Sequence, residues 1–160
     1  MKLYRVTNQK FANIFNGKGA SYEYGARWNS AGYPVIYFAL DIGTAMIESA
    51  NYNPSYRLIP PSHCKAIYSV DDKVTIKRLP AKTLPADWDK MPYSSTTQKI
   101  GDEFLSAQNS LFLLVPSVGA GLDDESKIAI ANPNHPEIKK IRLIRKIRPV
   151  YSDSMFSGLN

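Results

Sequence analysis

Short apolar runs and strict alternation dominate the hydrophobic pattern, which predicts strands more often than helices. Polar and apolar residues alternate over 1–7 (MKLYRVT), as in a strand with one buried face. Residues 34–40 (PVIYFAL) begin with a proline and continue with β-branched and aromatic residues, which favour a pleated surface. The continuous apolar run 111–115 predicts a buried strand that ends at Pro116-Ser117. Further strands are predicted at 65–70 and 74–79, on either side of a turn at Asp71-Asp72, and at 128–131 and 138–150.

Helical signals are fewer than strand signals. Asp41 is a good N-cap for a helix that follows it directly, because a short carboxylate can accept from the first backbone amides. Residues 100–109 repeat apolar positions at helical spacing and predict a second, amphipathic helix. Three stretches are too rich in turn-forming residues for regular elements and are interpreted as loops: a substrate-facing loop at 17–33, a loop at 53–63, and a long connection at 80–97 anchored by Trp88.

These elements predict the fold class and the number of domains. Seven or eight short strands with two or three helices indicate an α+β protein, because strand and helix do not alternate regularly enough for a doubly wound sheet. A chain of 160 residues suits one domain over 1–160, with compact mixed or antiparallel sheets around one core. Eleven prolines and nine glycines, spread along the chain, agree with many short elements joined by turns.

Composition narrows the class of protein further. Hydrophobic residues make up 44% and charged residues 21%, as is ordinary for a soluble globular protein, and no run of eighteen apolar residues predicts a membrane span. The one cysteine, Cys64, excludes an internal disulfide and a cysteine-based metal cluster. The alternating start lacks the continuous apolar segment of a signal peptide, so we expect a cytoplasmic protein.

The net charge of +6 suits an anionic partner, whether a phosphate-bearing metabolite, an acidic protein or a nucleic acid. Basic residues concentrate in 139–148, where they interleave with isoleucine and leucine. We interpret this segment as a solvated strand face, because a nucleic-acid site would need aromatic side chains for base stacking and none occurs before Tyr151.

Residues 25–52 hold the most concentrated candidate chemistry. Arg27, Tyr37 and Glu48 lie on three successive elements that short connections would bring together. A planar guanidinium suits phosphate or carboxylate, an aromatic ring can flank a planar group, and a carboxylate can stabilise developing positive charge. Each residue alone would have an ordinary structural explanation: a surface arginine, a core tyrosine and a solvated glutamate.

Other catalytic arrangements have less support. Ser117 follows a buried strand at a point where a cleft commonly opens, although a turn-forming serine explains it equally well. No Gly-x-Ser-x-Gly motif, P-loop or dinucleotide fingerprint occurs. Two isolated histidines, His63 and His135, do not predict a metal site, and His135 is most simply a turn residue between asparagines and prolines.

Taken together, these residues resemble the RES domain, a bacterial toxin family whose name stands for Arg, Glu and Ser. In this sequence the three would be Arg27, Glu48 and Ser117. The resemblance runs over about residues 3–150, with two mild departures: Ala26 stands where a second glycine is common, and the loop 119–125 is longer or looser than usual. Supporting motifs occur in the expected order at 4–6 (YRV), 17–20 (GKGA), 32–37 (GYPVIY) and 132–136 (NPNHP).

The resemblance implies a fold similar to ADP-ribosyltransferase toxins and NAD⁺ as the substrate, with no resident cofactor or metal. Family members cleave the nicotinamide–ribose bond by hydrolysis or phosphorolysis. On this basis Glu48 would stabilise the sugar cation, Arg27 would hold the diphosphate with Arg5 as a weaker second candidate, Tyr37 would orient the nicotinamide, and Ser117 would bond the ribose or amide. The implied partner is an Xre-type antitoxin that occludes the active site, without direct nucleic-acid or membrane binding.

Two alternatives and one question stay open at this point. The same site could transfer ADP-ribose to a protein, because the acceptor depends on loop shape that sequence does not reveal. The segment 139–148 could instead serve a basic nucleic-acid-binding or regulatory module, although this leaves Arg27, Tyr37 and Glu48 without a role. Whether the chain forms a homo-oligomer is left open.

Overall fold

The strand-forming segments pair into one seven-stranded sheet in a computed structural model, which describes residues 1–53, 55, 58–121 and 124–155. Neighbouring strands run in the order β4-β5-β6-β2-β1-β3-β7 and pair antiparallel, except that β4 and β5 are parallel. The predicted α+β class is confirmed. The strands are β1 Lys2–Asn8, β2 Ile36–Ala39, β3 His63–Ser69, β4 Ile76–Arg78, β5 Phe112–Pro116, β6 Lys127–Ala131 and β7 Arg142–Ile147.

Three α-helices and short 3₁₀ segments accompany the sheet in the described parts of the chain. The α-helices are α1 Ala20–Tyr24, α2 Ile42–Ala50 and α3 Ser95–Ala107, and the 3₁₀ segments include Ala81–Thr83 and Pro136–Lys140. Asp41 caps α2, as predicted. The prediction that 17–33 holds no regular element was wrong, since α1 forms there between two glycines. The helix α3 begins earlier than predicted because Ser94 accepts a hydrogen bond from the Thr96 amide.

The strands predicted at 65–70 and 74–79 are confirmed as β3 and β4, although β3 begins at His63. They are not neighbours in the sheet, because β1 and β7 occupy both sides of β3 and β4 pairs with β5. One strand prediction needs correction. The segment 138–150 begins as a 3₁₀-helix, since His135 accepts from the Glu137 amide and Pro136 occupies the first turn. His135 is therefore a turn-forming residue, as expected. The exposed positions of β7 carry its arginines and lysine, in agreement with a solvated face.

Each face of the sheet packs against its own hydrophobic core, so the prediction of one core was wrong. We call them core A and core B, and alternate residues of one strand enter different cores, as the period of a strand requires. Tyr37 shares the core B face with Val35, as predicted from their spacing. Core A includes Leu3, Ile36, Phe38, Ala66, Tyr68, Phe112 and Leu114. Core B includes Trp28, Val35, Ala39, Trp88, Phe104, Leu105, Leu113, Val115 and Ile130.

The centre of the sheet is incompletely paired. The strands β1 and β3 pair over seven positions, whereas β1 and β2 share one register position, Tyr4 opposite Ala39. Helix α2 packs against both β1 and β2 at this junction. Some residues of the predicted loops 53–63 and 119–125 lie outside the described residues, namely 54, 56, 57, 122 and 123.

Candidate active site

A cleft of about 850 Å³ opens where β1 and β2 separate. Consecutive residues of β1 and of β2, whose side chains point to opposite faces of the sheet, both line the cleft. This is possible because the two strands are not hydrogen-bonded along their whole length. Arg27, Tyr37 and Glu48 all line it, so the three residues that the sequence singled out do come together. The lining also includes Tyr4, Arg5, Val6, Tyr52, Asn53, His63, Met91, Tyr93 and Gly119.

The position of Glu48 is set by the start of its helix. Asp41 accepts from the Thr44 amide at 2.7 Å and from the Thr44 hydroxyl at 2.5 Å, which fixes the first turn of α2. Glu48 lies four residues after Thr44, on the same side of the helix, and is half-buried in the cleft wall. The carboxylate is thus carried by a short, capped element rather than by a loop.

Ser117 holds this carboxylate in place. Its hydroxyl donates to Glu48 Oε1 at 2.5 Å and accepts from the Ala120 amide at 3.0 Å, while the Gly119 amide donates to the same Oε1 at 3.3 Å. The side chain of Ser117 is fully buried. Ser117 therefore acts on the cleft through Glu48, and it leaves Oε2 of that carboxylate without a partner among the described residues.

The backbone around Arg27 forms a tight turn beneath α3. Gly25 ends α1 with φ 74°, a conformation that disfavours side chains, and Ala26 and Asn29 then form an isolated β-bridge. The helix α3 contacts this turn at Gly101, where an added Cβ would lie 1.7 Å from the Trp28 carbonyl oxygen. Only glycine allows this approach, which presses the turn that carries Arg27 against the sheet.

Arg27 is bound by a segment far along the chain. Its Nη1 donates to the carbonyl oxygens of Trp88 at 2.6 Å and Lys90 at 2.9 Å, and Nη2 donates to Met91 Sδ at 3.3 Å. The guanidinium carbon also lies 5.2 Å from the ring centroid of Tyr93. Guanidinium carries five N–H groups. The Nε proton and one Nη2 proton therefore have no partner in the described part of the chain and can serve an anion.

Tyr37 anchors the same turn from below. Its hydroxyl donates to Asn29 Oδ1 at 2.7 Å, and Asn29, which is fully buried, donates to the carbonyl oxygens of Ser21 at 2.7 Å and Ser30 at 3.0 Å. Burial raises the pKa of Tyr37 well above its usual value. The hydroxyl is therefore neutral and committed to the turn, so what Tyr37 offers the cleft is its ring.

Two further tyrosines border the site and were missed by sequence reasoning. The hydroxyl oxygens of Tyr52 and Tyr93 lie 3.5 Å apart at the cleft edge. Although most of the Tyr52 side chain is exposed, desolvation of its hydroxyl, the bond to Tyr93 and the nearby Glu48 carboxylate raise the pKa of Tyr52, so it stays protonated. Tyr52 follows Glu48 by four residues, a helical spacing that could have drawn attention to it. Tyr93 carried no such signal, because it lies in a loop distant in sequence from Arg27.

Arg5 occupies a different environment from Arg27. It lies on β1 and contributes to the cleft lining, but its guanidinium is close to the hydroxyl of Tyr68, a core A residue. Burial lowers the pKa of this guanidinium, with the Tyr68 hydroxyl acting in the opposite direction. The Arg5 side chain therefore lies on the core A face of β1, whereas Tyr4 and Val6 lie on the core B face.

Within the ranges that the structure describes, no three histidine, cysteine, aspartate or glutamate side chains are grouped so that they could hold a metal ion. In those same ranges no helix is both long enough and apolar enough to cross a bilayer.

The fold and the cleft together define a class: an α+β protein whose ligand-sized pocket brings a guanidinium, aromatic rings and a serine-held carboxylate into one opening. The RES domain family matches this chain over residues 2–153. The chain therefore belongs to the RES domain family. The family predicted from the sequence is thereby confirmed.

Similar proteins of known name agree with this assignment. A protein named Toxin Res from Yersinia enterocolitica (serotype O:8, biotype 1B) is 31% identical over 136 residues, covering 84% of this chain and 86% of that protein. A second Toxin Res, from Photorhabdus laumondii subsp. laumondii, is 32% identical over 118 residues, covering 73% and 74%.

A solved structure shares the fold. The crystal structure of the M. tuberculosis MbcT–MbcA toxin–antitoxin complex contains a chain that superposes with a TM-score of 0.75 at 18% identity, covering 99% of this chain and 87% of that one. At this identity the likeness describes the fold alone.

Proposed function

We propose that this protein is the toxin of a toxin–antitoxin pair and that it cleaves the nicotinamide–ribose bond of NAD⁺ by hydrolysis or phosphorolysis. The toxin role is supported by relatives named Toxin Res that match most of the chain. The substrate is supported by the RES resemblance and by the chemistry of the cleft residues.

One observation carries the proposal: Glu48 is fixed by Ser117 and the Gly119 amide in the same cleft as Arg27. Breaking a glycosidic C–N bond of this kind leaves positive charge on the sugar ring, and a preorganised carboxylate stabilises such charge. Oε1 is bonded by Ser117, so Oε2, which has no partner in the described part of the chain, is the atom that would face the ribose.

The reaction balances without a metal or redox partner. The bond between ribose C1′ and the nicotinamide nitrogen breaks, and nicotinamide leaves as a neutral molecule with the electron pair. Water or phosphate then forms a bond to C1′ and releases its proton to solvent or to Glu48. Arg27 would hold the diphosphate through its Nε and remaining Nη2 protons.

The exposed residues around the opening favour a protein partner. Tyr52 is 68% exposed and Met91 is 70% exposed, and both border the cleft. Apolar side chains beside an opening suit a protein that covers it. We infer an antitoxin of the Xre type that places an acidic segment or its C-terminal residue near Arg27. If the cognate antitoxin leaves activity unchanged, this partner assignment is wrong.

The same border also supports the second candidate, transfer of ADP-ribose to a protein. An acceptor protein would meet Tyr52 and Met91 before its nucleophile reached the ribose. Labelled NAD⁺ with cell lysate separates the two functions: a discrete labelled protein indicates transfer, whereas free ADP-ribose or ADP-ribose phosphate indicates NAD⁺ depletion.

Nicotinamide release from NAD⁺ tests the proposed function, measured with and without phosphate. Glu48→Gln should reduce the rate by at least about a hundredfold, because it removes the charge while keeping the shape. The matched control is Glu103→Gln, an exposed position on α3 away from the cleft, and it should behave as the wild type. A wild-type chain that releases no nicotinamide under either condition would refute NAD⁺ depletion.

A further inference from the structure

His63 is the clearest unexplained polar group in the described part of the molecule. Its Nδ1 atom is buried and has no hydrogen-bond partner there, and it is the one buried side-chain nitrogen or oxygen in that condition. A buried polar atom without a partner is unfavourable by more than a typical hydrogen bond contributes, so such atoms usually meet a water or a ligand. His63 also lines the cleft.

The strand register directs His63 toward the cleft face of the sheet. His63 opens β3 opposite Asn8, and positions 4, 6 and 8 of β1 share one face. Tyr4 and Val6, on that face, pack with core B and line the cleft. The imidazole is therefore on the side where a ligand would lie.

His63 is distant from the bond-breaking groups. Ser117 directly follows β5, and β3 lies four strands from β5 in the sheet order. With neighbouring strands spaced about 4.8 Å apart, the two strands are separated by about 19 Å. An extended dinucleotide bound at Glu48 can span this separation, whereas a single nicotinamide–ribose unit is much shorter.

We propose that rotation of the His63 ring about its Cβ–Cγ bond turns Nδ1 from its enclosed position into the cleft, where it contacts the nucleoside of the dinucleotide that lies farther from the cleaved bond. The atom would hydrogen-bond a sugar hydroxyl or a polar edge of that nucleoside's base. Asn53, which lines the cleft and donates its own amide to the Ser49 carbonyl, borders the same region. This inference rests on the proposed function, because it takes the ligand to be a dinucleotide.

Side-chain replacement can identify which ring nitrogen matters. The amide of asparagine can occupy the place of Nδ1, whereas the amide of glutamine reaches the place of Nε2. His63→Asn should therefore keep KM for NAD⁺ within about threefold, while His63→Gln and His63→Phe should raise it about tenfold, the loss of one hydrogen bond. In all three variants kcat should change little, because the contact is equal in ground and transition states.

Two comparisons make the result specific. Lys65→Gln changes the next residue on the same face of β3, outside the cleft lining, and should leave KM unchanged. ADP-ribose, titrated by calorimetry, should bind His63→Phe about tenfold more weakly than wild type. A purely structural role for His63 would lower the melting temperature without separating asparagine from glutamine.

Failure of this inference can be told apart from failure of the proposed function. If wild type releases nicotinamide but the His63 variants share its KM and its affinity for ADP-ribose, the inference is wrong and the function stands. If wild type releases no nicotinamide, the function is wrong, and the ADP-ribose titration decides the inference alone. Unchanged ADP-ribose affinity across the variants, or no binding by wild type, would then overturn it.

Discussion

The two charged groups of the cleft are held in contrasting ways. Glu48 lies on a capped helix, and its carboxylate is fixed by Ser117 and the Gly119 amide. Arg27 lies on a turn and is fixed mainly by carbonyl oxygens of the connection at 88–90. Groups on regular elements hold their geometry more precisely than groups on loops. The difference suggests that the carboxylate end is preorganised, whereas the guanidinium end can adjust to its ligand.

Removing the serine hydroxyl should have the largest effect of the changes that probe this contrast. Ser117→Ala deletes the hydrogen bond to a charged carboxylate, a loss of about 1.5–3 kcal/mol, which corresponds to about ten- to a hundredfold. We expect kcat for nicotinamide release to fall by that factor while KM changes little. Ser110→Ala, a half-buried serine before β5, is the control. A normal kcat in Ser117→Ala would mean that the Glu48 carboxylate is positioned without the serine.

Replacing the guanidinium should have a smaller effect on kcat and a clear effect on the loop. Arg27→Lys keeps the charge but cannot donate to both the Trp88 and Lys90 carbonyls, because an ammonium lacks the planar fork. We expect KM for NAD⁺ to rise about tenfold, the loss of one hydrogen bond, with faster amide hydrogen exchange in 88–93. Arg78→Lys, an exposed arginine on β4, is the control. Unchanged exchange in 88–93 would show that the loop does not depend on Arg27.

A carboxylate outside the cleft gives the smallest expected effect. Glu137 accepts from Lys140 at 2.6 Å and from the amide and hydroxyl of Thr75 at 2.9 and 2.8 Å. Chiefly through the Lys140 bond, the pKa of Glu137 falls from 4.5 to about 2. Because the folded pKa is the lower one, the stabilisation is present above pH 4.5 and is lost as the pH falls toward 2.

Glu137→Gln should therefore flatten the acid side of the melting-temperature profile and leave nicotinamide release intact. Its counterpart is again Glu103→Gln, which should keep the acid dependence of the wild type. Glu137 lies outside the cleft lining. A loss of activity in Glu137→Gln would therefore contradict the placement of catalysis in the cleft.

Much of the fold could be predicted because its signals are local. Alternation identified β1, the continuous apolar run identified β5, and Asp41 identified the start of α2. Strand pairing was less accessible: the position of β4 beside β5 depends on which edges are free once β1 and β7 have paired with β3. No local pattern contains that information.

In the candidate site, too, residues close in sequence could be predicted, and contacts between distant segments could not. Arg27, Tyr37 and Glu48 were predicted together because few residues separate them, and the resemblance to the RES domain added Ser117. The bonds from Arg27 to Trp88 and Lys90, and the ring of Tyr93, join segments about sixty residues apart and carried no signal. His63 was set aside as an isolated histidine, since its missing partner is visible only in three dimensions.

The single shared position of β1 and β2 has a thermodynamic consequence. Two groups of strands lie on either side of that seam, and they are joined by Tyr4, Ala39, the overlying α2 and the core residues that the two groups share. Any ligand that contacts both walls stabilises the folded molecule by an amount that grows with its concentration relative to its Kd. If that ligand is the substrate, the added stability lasts only until the substrate is cleaved and released.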